Sequence, residues 1–192
     1  MSCTSLKGII KLCKGNQGGI QAIYINDSDN VINIGYDVET HIINSIDITT
    51  SFIEFDLTRN TCNAVIDPKV DLINHTTYFE TKINLVFNRR QGSTSRPIQL
   101  LGEGQRHLDI IFLDMNGLYW YVNKVQLESG SGDTGVVLGD GSKYRVTFIG
   151  QEEWRPYEVN PNIIPDLMNN WILRDGDWRD LGIWIDEEVW ID

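Results

Sequence analysis

The chain has 192 residues, of which 41% are hydrophobic and 22% charged, and its formal net charge is −11. That length supports one core of good size, or one domain with an appendage. No apolar run reaches the roughly 20 residues of a membrane span, and no stretch supplies the basic footprint that sequence-specific nucleic-acid binding requires.

The charge is uneven. Residues 1–150 hold 16 acids against 13 bases, whereas residues 151–192 hold 11 against 3. The N-terminal apolar stretch is too short for a signal peptide and lacks a small-residue cleavage site, which predicts a protein made and used without Sec export. The three cysteines, Cys3, Cys13 and Cys62, form no C-x-x-C pair. An odd count without that spacing predicts free thiols of a reducing compartment rather than a disulfide framework or zinc site.

In chain order, short apolar runs of period two alternate with Gly, Asn, Asp and Ser. Ile20–Ile25 predicts a strand, Asp27–Asn30 a turn, and Val31–Ile34 a further strand. Ser51–Leu57 alternates, with Phe52, Glu54 and Asp56 on one face and Ile53, Phe55 and Leu57 on the other. The clearest strand is Thr77–Asn88, which sets Phe79, Ile83, Leu85 and Phe87 on one face and Glu80, Lys82 and Asn84 on the other. Ser95 caps a predicted two-turn helix that starts at Arg96 or Pro97 and ends at Gly102 or Gly104. Leu108–Leu113 and Leu118–Leu127 flank Asp114-Met115-Asn116-Gly117, and Asn-Gly between apolar runs is a strong hairpin signal. A second hairpin is predicted to join Val136–Leu138 to Tyr144–Ile149 through Gly139–Ser142.

These elements predict one mainly antiparallel β domain over residues 1–150, a β-sandwich or partly closed barrel with one short flanking helix. Residues 151–170, with Pro156, Pro161 and Pro165, predict an extended linker with one helical turn after Pro165. Residues 171–192 form an arm.

Chemical motifs give little. Gly130–Gly135 matches G-x-G-x-x-G, yet Val136–Gly141 is turn-rich and cannot open a helix, so a hairpin loop is expected and no cofactor. Asp27–Asn30 begins like a calcium loop, but Val31 and Ile32 stand where an oxygen ligand and a glycine belong, so no metal site is expected. His41, His75 and His107 have no paired ligand spacing, and no nucleophile motif is present. The expectation is a protein without catalytic residues.

The arm is different. Trp171, Trp178, Trp184 and Trp190 fall within the last 22 residues, as a degenerate x-Trp-x-Asp repeat with β-branched neighbours Ile183, Ile185, Val189 and Ile191. Such neighbours favour strands. Three readings stand: the arm folds back over its own domain, it docks on a neighbouring subunit by strand addition, or its tryptophans stack on sugars. Trp buries a large area with few rotatable bonds, so these eight residues are the candidate protein–protein interface.

Cys13–Ile20 with Ile23-Tyr24-Ile25, the helix-then-hairpin of Ser95–Val122 with Gly117–Val122, and Gly139–Glu152 together resemble small virion proteins of phages that infect Bacteroides-type hosts, including the crAss-like phages. The likeness covers about residues 8–152. It is a resemblance to the tail-tube superfamily, whose members form the tube or the rings between portal and tail. It implies a β-sandwich or barrel with one flanking helix and no catalytic residue. It also implies self-assembly into a ring, contact with adjacent tail or connector rings, passage of viral DNA through the lumen, no membrane, and a virion tail assembled in the host cytoplasm. On that reading an acidic lumen repels the genome, and loops Asp27–Asn30 and Ser129–Gly135 meet the rings above and below. A reading of another class is a carbohydrate-binding β-sandwich module for host attachment, with Trp184 and Trp190 as platforms.

Overall fold

The computed structural model describes residues 15–58, 60–73, 75–88, 91–136 and 140–168, with the backbone of 173–174 and 177–178. Its strands are β1 (Ile20–Asp27), β2 (Val31–Tyr36), β3 (Ile42–Ile48), β4 (Ile53–Phe55), β5 (Asn63–Asp71) and β6 (Thr76–Asn88). After helix α1 (Gly92–Gly102) come β7 (Leu108–Asp114), β8 (Tyr119–Asp133), β9 (Lys143–Glu152) and β10 (Tyr157–Val159), then the single turn α2 (Ile164–Leu167). The protein is mainly β, as the alternation predicts.

Ten strands share one open, curled sheet. One path runs β2-β3-β10-β8-β7-β1-β4, and β5-β6-β9 joins it through β8. All of its pairings are antiparallel except β3–β10, which is parallel. β8 serves both paths: Tyr119–Val125 pairs with β7, and Gln126–Asp133 pairs with β9. The strand bends at Lys124, whose φ is +49, opposite a register shift between Leu108 and Ile110.

Two apolar clusters arise from this curl. In the first, Ile23, Ile110, Phe112 and Val122 of one path face Ile83, Leu85, Val146 and Phe148 of the other, with Ile98 and Leu101 of α1 against them. The second lies on the other face of the first path, where Ile43, Ile111, Tyr121 and Val159 pack with Phe52, Ile164 and Leu167. β7 is therefore buried on both faces, which accounts for its apolar run in place of strict alternation. β6 has one buried face, carried by Thr81, Ile83, Leu85 and Phe87.

Four expectations change at the level of elements. The helix begins at Gly92 rather than at Arg96 or Pro97, because the Ser95 amide and hydroxyl both donate to the Gln91 carbonyl. Pro97 sits inside it, where it lacks a backbone donor and its ring crowds the preceding turn. The tract Gly130-Ser131-Gly132-Asp133, expected in a loop, is strand, because β9 supplies its ladder from Val146 to Lys143. That pairing also makes Gln126–Asp133 the partner of β9 in place of Val136–Leu138, of which Val137 and Leu138 lie outside the described residues. Finally, the stretch from 151 to 168, expected as a linker, belongs to the body. β9 runs to Glu152, β10 is bonded between β3 and β8, and Ile164 and Leu167 are buried.

Candidate functional site

The described residue with the largest exposed ring system is Trp154, which is 55% exposed on the connection from β9 to β10. Pro156 favours an extended residue before it, and the chain then enters β10 with Tyr157 opposite Tyr121 of β8. Next to β10 lies β3, reached from β2 through a tight turn. The Asp37 carboxylate accepts the Glu39 and Thr40 amides at 2.7 and 3.2 Å, and these two bonds hold it below the usual carboxylate range. The His41 amide returns to the Asp37 carbonyl at 2.9 Å with φ at +58, a left-handed conformation set by the turn.

That turn delivers His41 onto Tyr157. Their rings are 5.9 Å apart and inclined by 21°, while Tyr36 lies 5.3 Å from Tyr157 at 40°. Trp154 is 6.4 Å from His41. Beside these rings opens a cleft of about 370 Å³, lined by Tyr36, Tyr121, Asn123, Glu152, Glu153, Trp154 and Tyr157 among others. A second hollow of about 500 Å³, which includes His41, Phe79 and Arg155, shares Glu153, Trp154 and Tyr157 with it.

The electrostatics of the cleft are one-sided. Glu152 accepts a 2.7 Å hydrogen bond from the Asn123 amide. Burial pushes its carboxyl up to about 7; the Asn123 bond opposes this and the Asp109 carboxylate adds to it. Burial also raises the Tyr121 hydroxyl, helped by Asp109, to which Tyr121 donates. The Tyr157 hydroxyl is raised by burial first and then by Tyr36, Glu152 and Glu153.

Two other surfaces stand out. A groove of about 720 Å³ lies between β4 and α1, with Ile53, Phe55, Phe87, Ile98 and Leu101 along it and Asp27 and Arg106 at its rim. The edge strands are the other. Among the described residues β2 pairs only with β3, β4 only with β1, and β5 only with β6.

Of the interface residues expected from sequence, Trp171, Ile183, Trp184, Ile185, Val189, Trp190 and Ile191 lie outside the described residues. Trp178 is described by its backbone alone: it pairs with Leu173, and Asp177 pairs with Arg174, as a short antiparallel ladder. The loop Asp27–Asn30 is the end of β1 and a 3₁₀ turn, with the Ser28 amide bonded to the His107 carbonyl. Sequence reasoning missed the cleft. Its only local signal is Trp154-Arg155-Pro156-Tyr157, two aromatics around a proline, and Tyr36 and His41 arrive from more than a hundred residues earlier.

No protein-family model matches this chain, and none of the curated proteins matches it.

Proposed function

We propose that this chain is a non-enzymatic virion protein of a phage. Copies of it assemble into a ring of the tail tube or head–tail connector, through which DNA passes. The observation that carries this reading is a contrast between two edges. β5 holds Pro68 between Asp67 and Lys69, followed by Asp71, which blunts it against pairing. β2, Val-Ile-Asn-Ile-Gly-Tyr, has neither proline nor charge, and Ile32 on it is 68% exposed. A bare, apolar edge is a liability for a monomer and a joint for an oligomer. Tyr36 and Val38 continue the exposed apolar strip.

Other features agree with the reading. The curl of the sheet suits a partly closed barrel whose remaining edges are closed by neighbours. The net charge of −11 gives a lumen that repels DNA. The Phe52 amide bonds the Leu167 carbonyl at 2.9 Å, so the chain reaches residue 168 beside the free edge of β4. On this reading the Trp-rich arm that follows clamps an adjacent subunit or ring. The sugar-binding reading rests on Trp184 and Trp190, outside the described residues, and no described feature favours it over the ring.

Light scattering tests this. The full chain is expected to form a discrete oligomer, and Ile32→Lys to shift it toward monomer without loss of fold. An oligomer that survives truncation after Asn169 assigns ring formation to the β body and the arm to another layer. A full chain that stays monomeric at every concentration, alone and with the neighbouring tail proteins, overturns the proposal.

A further inference from the structure

We propose that the cleft between Tyr36, Tyr157, Trp154 and Glu152 binds a guanidinium group, the side chain of an arginine presented by a partner polypeptide. This stands independently of the ring reading.

The aromatic rings that line the cleft come from three separate places in the chain: Tyr36 at the end of β2, Tyr121 on β8, and Trp154 and Tyr157 of the β9–β10 segment, with His41 in the adjoining hollow. Tyr157 is flanked by Tyr36 at 5.3 Å and by His41 at 5.9 Å. A cation within about 6 Å of a ring centroid is attracted to the negative ring face, most strongly where water is excluded. Trp154, the best such ring, borders the cleft and remains more than half exposed.

The carboxylates give the charge. Glu152 and Glu153 both line the cleft, and neither belongs to the ion pairs among the described residues. Glu152 is half-buried and has the Asn123 amide as its hydrogen-bond donor. A partly buried carboxylate gains more from a cation that also donates hydrogen bonds than from a bare charge. Arg155 lines the adjoining hollow rather than this cleft.

Geometry selects the cation. A guanidinium is planar and weakly hydrated, so it stacks on a ring while its N–H edge reaches a carboxylate. An ammonium keeps a strong hydration shell, which the apolar walls Ile34 and Ile43 do not replace. A neutral sugar can stack on Trp154 but leaves the Glu152 charge without a counter-ion.

The test uses the full chain at about pH 8 and L-argininamide as the probe. The readout is the NMR shift of the Trp154 indole and His41 ring signals. Saturable shifts are expected, weaker with L-lysinamide and absent with glucose or N-acetylglucosamine. Glu152→Gln keeps an acceptor for the Asn123 amide and is expected to weaken binding about tenfold. If Glu152→Gln perturbs the fold, Trp154→Ala, at an exposed position, gives the same reading. No saturable shift, an unchanged affinity in a folded Glu152→Gln chain, or preference for the sugars overturns the proposal. Where binding occurs, a fall in light-scattering mass identifies the arginine donor as a second copy, and an unchanged mass identifies a different polypeptide. Either result supports the site.

Discussion

The amide of Lys124 donates a 2.9 Å hydrogen bond to the buried carboxylate of Asp109, at the point where β8 turns from one path of the sheet to the other. The same carboxylate accepts from the Ser28 and Tyr121 hydroxyls. One side chain thus satisfies three donors around a bend that the ladder leaves open.

Asp109→Ala is expected to cost about 3 kcal/mol, because the buried Tyr121 hydroxyl and the part-buried Ser28 hydroxyl and Lys124 amide all lose their acceptor. Asp109→Asn retains an acceptor and is expected to cost less, and Tyr121→Phe, which removes one donor, about 1 kcal/mol. Urea unfolding of the three variants checks the order. Equal losses for Asp109→Ala and Tyr121→Phe contradict the shared-acceptor account.

Gly150 of β9 lies directly over Val125 of β8. A Cβ added there sits 2.7 Å from Val125 Cγ1 and 3.6 Å from its Cα. Val125 is fully buried. Gly150→Ala is expected to destabilise by about 1–3 kcal/mol through overpacking. Adding Val125→Ala removes the clash, so a double-mutant cycle should give a total smaller than the sum of the single losses. Additive losses place the strain elsewhere.

Glu152 makes stability depend on pH in an identifiable direction. Its carboxyl moves from an ordinary value of 4.5 up to about 7 in the folded chain, chiefly through burial. Below pH 4.5 both folded and unfolded chains carry the proton. Between that point and about 7 the unfolded chain ionises first, so this group's contribution falls as pH rises and then levels off. Asp109, Tyr121, Glu153 and Tyr157 are the ionisable side chains around it. Glu152→Gln is expected to be more stable than the parent at about pH 8, by up to about 3 kcal/mol, and equal to it near pH 4. Melting temperatures of both chains across that range check the crossover.

The parts of the fold legible in the sequence are those whose signal is local. β6 shows its buried face through Ile83, Leu85 and Phe87 two residues apart, and the β7–β8 turn shows itself in Asn116-Gly117. There the Asp114 carboxylate takes the Asn116 and Leu118 amides at 2.8 and 3.0 Å, and Gly117 supplies a φ of +84. The illegible parts depend on distant partners. Gly130–Asp133 has no side-chain pattern and is strand because β9 pairs with it. β10, three residues between prolines, is strand because β3 and β8 lie on either side. The cleft is hidden for the same reason: the Asp37 turn brings His41 to Tyr157, and no spacing within either segment encodes the other.

β8 has a mechanical consequence. Each of the two paths of the sheet grips a different half of this one strand. A pull along it passes from one path to the other through peptide bonds, with no side-chain contact in the way. Neither path can peel off while the other stays folded without loading the bend that the Lys124–Asp109 bond holds, so the body yields as one cooperative unit.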